Sequence, residues 1–485
     1  MAAANTLFNL VEEPWIPVRR ADSGDRILLG LAELFRTADS IHDLDCAPHE
    51  RVALTRLLVC LTHAALGIPD SAETWGDFGH DIRERVPEYL ARDSVRSAFN
   101  LLGSGPRFLQ VPIADASSPV DVTKLVFHLA TGNNTTLFDH EGGIASRALT
   151  PAQAALALLT FQNFHPLYGA GYKGRGPCMD RSMVHTVLHG DNLQDTILLN
   201  CLTLDFVRAH FTDVGQPIWE LDPTSSDFER SATTTYLGRL VPRHRSLWLC
   251  DALDGFFIEQ HGLEYPAFDQ AREATATLRL YRKDGDLQRT LVDCRVDRSI
   301  WRDLHAMLVV RHAKADEVSG PLNLQVQCRR NGSSFRLWTG GLIADKAKII
   351  DAIESTFTVP TGLLEEGGLA LYHSGVAYAD SQSYRLKIAV TEYSKSLKSD
   401  APPTAKAVNR YWHAMDRQSS LLVQLACRAM PLAYTEKGNA WGDLVRKTAR
   451  EAFEDTCPRQ TPRQIRAFAA GLKKLSVPKL KPEPK

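Results

Sequence analysis

No two of the nine cysteines stand close enough to build a zinc ribbon. They lie at 46, 60, 178, 201, 250, 294, 328, 427 and 457, and no CxxC pair occurs. An odd number of scattered cysteines in a long chain also speaks against a disulfide framework and fits a reduced, intracellular protein. Long apolar runs are lacking as well. No stretch approaches the ~20 residues that a membrane span needs. The start, Met1 to Asn9, has neither the charged opening nor the apolar run of a signal peptide, so a cytoplasmic location and no membrane partner are expected. No GxSxG elbow and no Walker motif is present, which speaks against serine hydrolysis and P-loop ATP use. Net charge is nearly absent too, at −1 over 485 residues.

The charge balance hides an asymmetry. From residue 361 onward there are 20 Lys and Arg against 12 Asp and Glu, a net +8; the preceding residues carry 36 against 45, a net −9. A basic final third on an acidic body suggests an end that meets phosphate; a solvated helical surface is the plain alternative. With 44% apolar and 23% charged residues the chain can bury an ordinary core, and at ~100–200 residues per domain it holds two or three domains.

The hydrophobic period assigns helices to Arg51–Gly67, Pro151–Phe161 and, as one long amphipathic element, Asp191–Phe211, with a mostly helical region over Asp77–Leu102. Leu7–Val18 reads as two short extended runs. Thr275–Val296 reads as a hairpin around Asp284-Gly285. Phe335–Leu342 reads as a strand ending at Gly340-Gly341. After Pro360 the pattern turns helical at Leu363–Leu397, Thr404–Met430, Trp441–Thr456 and Arg463–Leu475. The expected fold is therefore α+β: a mixed α/β domain over 1–360, a four-helix bundle over 361–477, and a disordered basic tail over 478–485.

Two loops carry unusual chemistry. Gly169-Ala170-Gly171-Tyr172-Lys173-Gly174 satisfies GxGxxG, but a helix and Pro166 precede it and Arg175-Gly176-Pro177 follows it, so the dinucleotide-binding reading is rejected. Glycines let a backbone approach closely, and Tyr168, Tyr172, Lys173 and Arg175 supply stacking and phosphate-binding groups. A nucleic-acid contact loop and a tight turn on its own core both fit. Thr131–Arg147 holds an apolar pair, Leu137-Phe138, between Asn- and Gly-rich flanks. It suits insertion against a partner or a base, or packing on the chain's own core. Asp139, His140 and Glu141 are metal-ligand types, and His185 and His189 have i, i+4 spacing. No further carboxylate cluster supports a two-metal site, so no metal and no cofactor is expected.

Several stretches, in order, resemble one family. They are Phe8-Asn9-Leu10 with Pro14-Trp15-Ile16-Pro17-Val18, Thr136-Leu137-Phe138-Asp139-His140, the glycine loop with Arg175-Gly176-Pro177, and Leu198 to Leu204. Leu249-Cys250-Asp251, Gly340-Gly341, Tyr411-Trp412 and Arg417-Gln418 complete the set. The chain resembles CasA, the large subunit of type I-E CRISPR Cascade complexes. The resemblance implies a mixed domain followed by a four-helix bundle, and no enzyme activity. It implies binding to guide RNA, target double-stranded DNA and other Cascade subunits, recognition of the PAM, help in opening the duplex, and recruitment of a separate helicase–nuclease. Carried over by position, it places Leu137, Phe138 and Asp139 near the guide RNA and PAM. It places Tyr168, Gly169, Ala170, Gly171, Tyr172 and Lys173 at the PAM minor groove. Asp345 and Lys346, after Ala344, fall at a strand-separating wedge, where some relatives have glutamine instead of Lys346. In the basic bundle, Lys406, Arg410, Lys473 and Lys474 are candidates for the displaced strand. Two rivals stay open: a metal-dependent nuclease built on Asp139, His140, Glu141 and His185, and a scaffold subunit that reads no DNA.

Overall fold

A helix whose apolar residues run all round its circumference must sit at the centre of a core. Pro48–Leu66 is such a helix. Leu54, Leu57, Leu58, Cys60 and Leu61 are inaccessible, and even Arg56 and His63 are buried. Pro48 opens it, where the missing N–H costs nothing, and the Glu50 carboxylate accepts from the free backbone N–H of Ala47 at 2.8 Å. In a computed structural model, the described residues are 7–71, 75–113, 118–127, 148–165, 176–178, 182–259, 262–266, 273–283, 286–309, 320–327, 334–345, 348–428 and 438–475.

Along these residues the order begins β1 (Ile16–Arg20), β2 (Arg26–Leu29), α1 (Leu31–Arg36), β3 (Ile41–Leu44) and α2 (Pro48–Leu66). It continues through α3 (Trp75–Leu90), α4 (Asp93–Ala98), β4 (Val120–Asp121), α5 (Pro151–Phe164) and β5 (His185–His189). Next come α6 (Leu193–Leu199), α7 (Leu204–His210), α8 (Phe228–Thr234), α9 (Tyr236–Leu240), β6 (Leu247–Leu249) and β7 (Gly255–Ile258). The hairpin strands β8 (Leu278–Lys283) and β9 (Asp286–Leu291) precede α10 (Leu304–Met307), α11 (Leu322–Gln327), β10 (Ser334–Asp345) and β11 (Lys348–Pro360). The helices α12 (Glu366–Ser396), α13 (Thr404–Asp416), α14 (Ser419–Cys427), α15 (Ala440–Thr456) and α16 (Pro462–Leu475) end the series. The fold is mixed α/β with a helical C-terminal region. Among the described residues no helix is long and apolar enough to cross a membrane.

The chain divides into two compact units, which take in the described residues of Met1–Arg298 with Val310–Thr358, and of Ser299–Val309 with Val359–Lys485. In the first, small sheets are ordered β2-β1-β3, β11-β10-β5 and β4-β7-β6, with the hairpin β8-β9; the first and third contribute to the main helical core, and the others bury smaller clusters of their own. The hairpin register, Lys283 opposite Asp286 and Leu278 opposite Leu291, matches the expected position of its turn.

In the second unit α12 runs along α13, α14, α15 and α16. Buried polar tips tie the helices together: Tyr411 Oη donates to Ala379 O at 2.9 Å and Trp441 Nε1 to Gly375 O at 2.9 Å. Ser299–Val309 also belongs to this unit, from some sixty residues upstream.

Four sequence expectations need correction. Leu7–Val18 yields only the start of β1, because Asn9 folds its amide onto Val11 N and makes a turn. Asp191–Phe211 is two short helices, not one. They part at Asn200, whose side-chain amide donates to Leu188 O at 2.7 Å and accepts from Leu188 N at 3.0 Å, pairing the free edge of β5 as a strand would. The strand from Phe335 does not end at Gly340-Gly341. It runs on to Asp345, and Gly341 is small because a Cβ there would stand 2.6 Å from Met183 O. The helix expected over Thr404–Met430 breaks after Asp416, whose carboxylate turns to accept from Trp301 Nε1 at 2.7 Å.

Candidate nucleic-acid interface

Leu137, Phe138, Asp139, the stretch Tyr168 to Lys173 with Gly169, Ala170, Gly171 and Tyr172, Arg175 and Lys346 lie outside the described residues. Asp345 is the last residue of β10. What the structure does describe is where the chain on either side of these positions is anchored.

The glycine-rich segment leaves from the last turn of α5 and returns to it. Thr150 caps that helix with a reciprocal pair of bonds to Gln153, and the helix ends at His165. Asn163 O, in its final turn, accepts from Cys178 N at 3.0 Å. Gly176 presses so close that a Cβ would stand 2.6 Å from Asn163 O, so no larger residue fits without moving the return strand. The segment bearing Leu137 and Phe138 leaves after Phe127, whose ring centroid is 6.5 Å from Phe161 and 5.7 Å from His49. It is tied again at Leu149, whose N–H donates to Leu253 O at 2.9 Å. The end of β10 is held by Ala344 N, which donates to Ser182 Oγ at 3.0 Å.

While Leu149 packs on the larger core, at least one anchor of each segment meets one small apolar cluster. Val52, Phe164, Cys178, Val187, Trp338 and Leu342 form it, and Phe127, Ala344 and Ile349 pack against it. Three stretches picked out separately along the sequence, far apart in number, therefore spring from one place. Sequence reasoning missed what lies beneath. Arg51 carries its guanidinium 5.5 Å over the Trp338 ring and pairs with Asp43 at 2.5 Å; His189 Nε2 stands 3.0 Å from Asp43 as well. Burial alone would raise the Asp43 carboxyl, but the hydrogen bond from His189 and the charge and hydrogen bond of Arg51 outweigh it and hold it below the usual range. Of this group the sequence marked only His189, by its spacing from His185; the others meet it only in the fold, Asp43 from β3, Arg51 from α2 and Trp338 from β10.

Lys406 and Arg410 lie in the second unit, on α13. Lys406 is exposed. Arg410 pairs with Asp455 at 3.2 Å, with both side chains about half exposed, an ion pair weak enough for a phosphate to displace.

His185 does not offer itself to a metal or a nuclease site. It is inaccessible, its Nδ1 is 2.8 Å from Thr275 Oγ1, and its Nε2 is 3.0 Å from Cys178 O. A neutral ring satisfies both: Nε2–H donates to the carbonyl and Nδ1 accepts from the hydroxyl. Burial pushes this histidine down from 6.5 to about 3. The unfolded chain then takes up the proton first, so its contribution is present above pH 6.5 and lost as pH falls towards 3. The loss is about 1.4 kcal/mol per pH unit. Urea melts at neutral and mildly acidic pH check this: His185→Gln should flatten the pH dependence by about that slope, and an unchanged slope would refute it. Among the described residues no group of three or more His, Cys, Asp or Glu is arranged to hold a metal ion.

Comparison with known proteins agrees with the resemblance carried by the motifs. Residues 9–452 match the family described as CRISPR-associated protein Cse1. The chain is similar to the CRISPR-associated protein CasA/Cse1 of Thermus thermophilus, with 29% identity over 442 residues, 84% of this chain and 85% of that one. Its fold is similar to the crystal structure of Thermobifida fusca Cse1, with a TM-score of 0.75, 20% identity, and 97% of each chain covered. It also superposes on a chain of a solved CRISPR RNA-guided surveillance complex, with a TM-score of 0.72, 19% identity, and 97% and 99% of the two chains covered. A family match across that span, on a fold shared from end to end, leaves one conclusion: the chain belongs to the CRISPR-associated Cse1 (CasA) family.

Proposed function

We propose that this chain is the large subunit of a type I-E Cascade complex, acting in the cytoplasm with guide RNA and the other subunits. In this reading it recognises the PAM in double-stranded DNA, helps to open the duplex, and recruits a separate helicase–nuclease, supplying no catalytic residue itself. The segments holding Leu137, Phe138 and Asp139, holding Tyr168 to Arg175, and holding Asp345 and Lys346 act as one contact surface on the 1–360 domain. The helices of 361–477 offer Lys406 and Arg410 to the displaced strand. The observation that carries this is the convergence of the three stems on the cluster of Phe164, Cys178 and Trp338. A duplex held at one point is read and opened by neighbouring groups, and rigid supports under loops are how proteins place such groups. Family membership and the likeness to a chain of a surveillance complex support it further.

The test is binding of target duplexes, across a randomised PAM library, by the reconstituted guide-RNA complex with and without this chain. PAM-dependent binding should require the chain. Leu137→Ala with Phe138→Ala should weaken duplex binding about tenfold, the size of one lost anchoring contact. Lys346→Ala should slow opening of PAM-bearing duplexes. Equal binding without the chain leaves it a scaffold.

A further inference from the structure

On the first unit, a cleft of about 770 Å³ stands open that the reading above does not use. Its lining includes Pro106, Phe108, Trp219, Leu221, Trp248 and Arg243. The aromatic walls are fixed in place. Phe108 stacks on Phe99 at 5.0 Å, Phe99 meets the Trp219 ring at 5.0 Å, and Trp219 Nε1 donates to Tyr89 Oη at 2.8 Å. Trp248 lies under the Arg107 guanidinium at 4.1 Å. At the base, Leu109 adopts φ +53°, a left-handed conformation that costs a branched side chain energy, and Gln162 Nε2 holds its carbonyl at 3.0 Å. Such a rigid, strained, largely apolar concavity has the size and lining of a binding site.

The polar groups around it decide what it takes. Arg107 is already paired: each of its three nitrogens donates, to Gly103 O, Leu249 O and the Asp251 carboxylate. Gln110 donates to Leu101 O and accepts from Leu249 N, and it is buried, so its amide is engaged at both ends and turned away from a base. Arg243 is different. Its guanidinium lies 4.9 Å over the Phe228 ring, and among the described residues no carboxylate or carbonyl accepts from it. A nucleic-acid strand needs several cations along its backbone and base-edge partners; among the described residues that line this cleft, Arg243 is the cation with no carboxylate or carbonyl partner, and both ends of the Gln110 amide are engaged. One anion beside an apolar side chain fits it better.

We propose that this cleft docks a short segment of a partner protein that buries an apolar or aromatic side chain between Trp219 and Trp248 and sets an adjacent carboxylate on Arg243. The inference is independent of the PAM reading, because it uses none of the three contact segments. It is tested by selecting a displayed library of short random peptides on the full chain and titrating the enriched peptides by fluorescence polarisation. Asp or Glu next to an aromatic or branched apolar residue should be enriched. Arg243→Gln should weaken binding about tenfold or more, as loss of a charged hydrogen bond does, and Arg243→Lys should restore part of it. Gly105→Trp should block the cleft, since Gly105 is one of its lining residues and a Cβ there meets no atom within 4 Å. Far-ultraviolet circular dichroism and the melting temperature of each variant separate loss of the site from loss of the fold. Peptides without acidic enrichment, no enriched peptide at all, or equal binding to Arg243→Gln each overturn the proposal. So does Gly105-dependent binding of labelled oligothymidylate in place of peptide.

Discussion

Replacing Glu273 with Ala is expected to lower the stability of the first unit by about 3–5 kcal/mol, a large part of what holds a domain folded. Glu273 stands between two arginines in the interior, and all three side chains are all but inaccessible, at 2–4% exposure. Arg56 of α2 pairs with one carboxylate oxygen, and Arg239 of α9 stands 3.9 Å from the other. Arg56 also donates to Leu240 O at 3.1 Å and to Arg239 O, so one guanidinium joins the central helix to the end of α9. Two buried cations held by one carboxylate become uncompensated when it is removed, and neither reaches water. Glu273→Gln keeps the shape and an acceptor but not the charge, and should fall between wild type and Ala. Urea unfolding followed by tryptophan fluorescence measures this; a shift below about 1 kcal/mol for Glu273→Ala would mean another acceptor compensates both arginines. Because Cys178 and His185 sit in the same interior, such a variant should also loosen the anchor of the glycine-rich segment. Its effect on duplex binding then reports support, not contact.

The elements that the sequence makes legible are those whose information is local. Pro151 opens a helix where the sequence places one, and Asp284-Gly285 lies in sequence between two strands whose pairing, Lys283 opposite Asp286, fits a hairpin there. The misses are non-local. The apolar period runs unbroken through Asn200, and only the neighbouring β5 edge shows why the helix stops there. β11 alternates exposed and half-buried positions from Ile353 to Val359, but its first half does not, and as an edge strand it buries little beyond Val359. The candidate site divides in the same way. Glycine- and aromatic-rich loops announce themselves by composition, whereas Phe127, Phe164, Cys178 and Trp338, which gather them, read as ordinary core. His185 read as half of a possible ligand pair, since spacing alone carries no sign of burial.

Trp301→Ala is expected to destabilise the second unit by about 3–5 kcal/mol, the usual cost of deleting a large buried ring. Trp301 is 4% exposed and sits among α12, α13 and α15. Its ring centroid is 6.2 Å from both Trp412 and Trp441, edge-on to the latter. Its Nε1 donates to Asp416 at 2.7 Å, and its backbone oxygen accepts from Tyr372 Oη at 2.8 Å. The next residue, Arg302, lays its guanidinium 3.6 Å over Trp412 and pairs with Asp380. The helices thus close around a segment that the chain delivers before β10 and β11 are made. Hydrogen exchange should show the loss as faster exchange along α12, α13 and α15, with α2 and α5 little changed. Trp301→Phe keeps a ring but leaves the Asp416 carboxylate without its donor, and should cost about 1–3 kcal/mol. The same reasoning bears on fragments. A piece beginning at residue 361 contains every helix from α12 to α16 but not Trp301, and should melt well below a version to which Ser299–Val309 is supplied in trans or by fusion. Equal melting of the two, with Trp301→Ala unaltered in exchange, would make the upstream segment a passenger on the bundle and not part of its core.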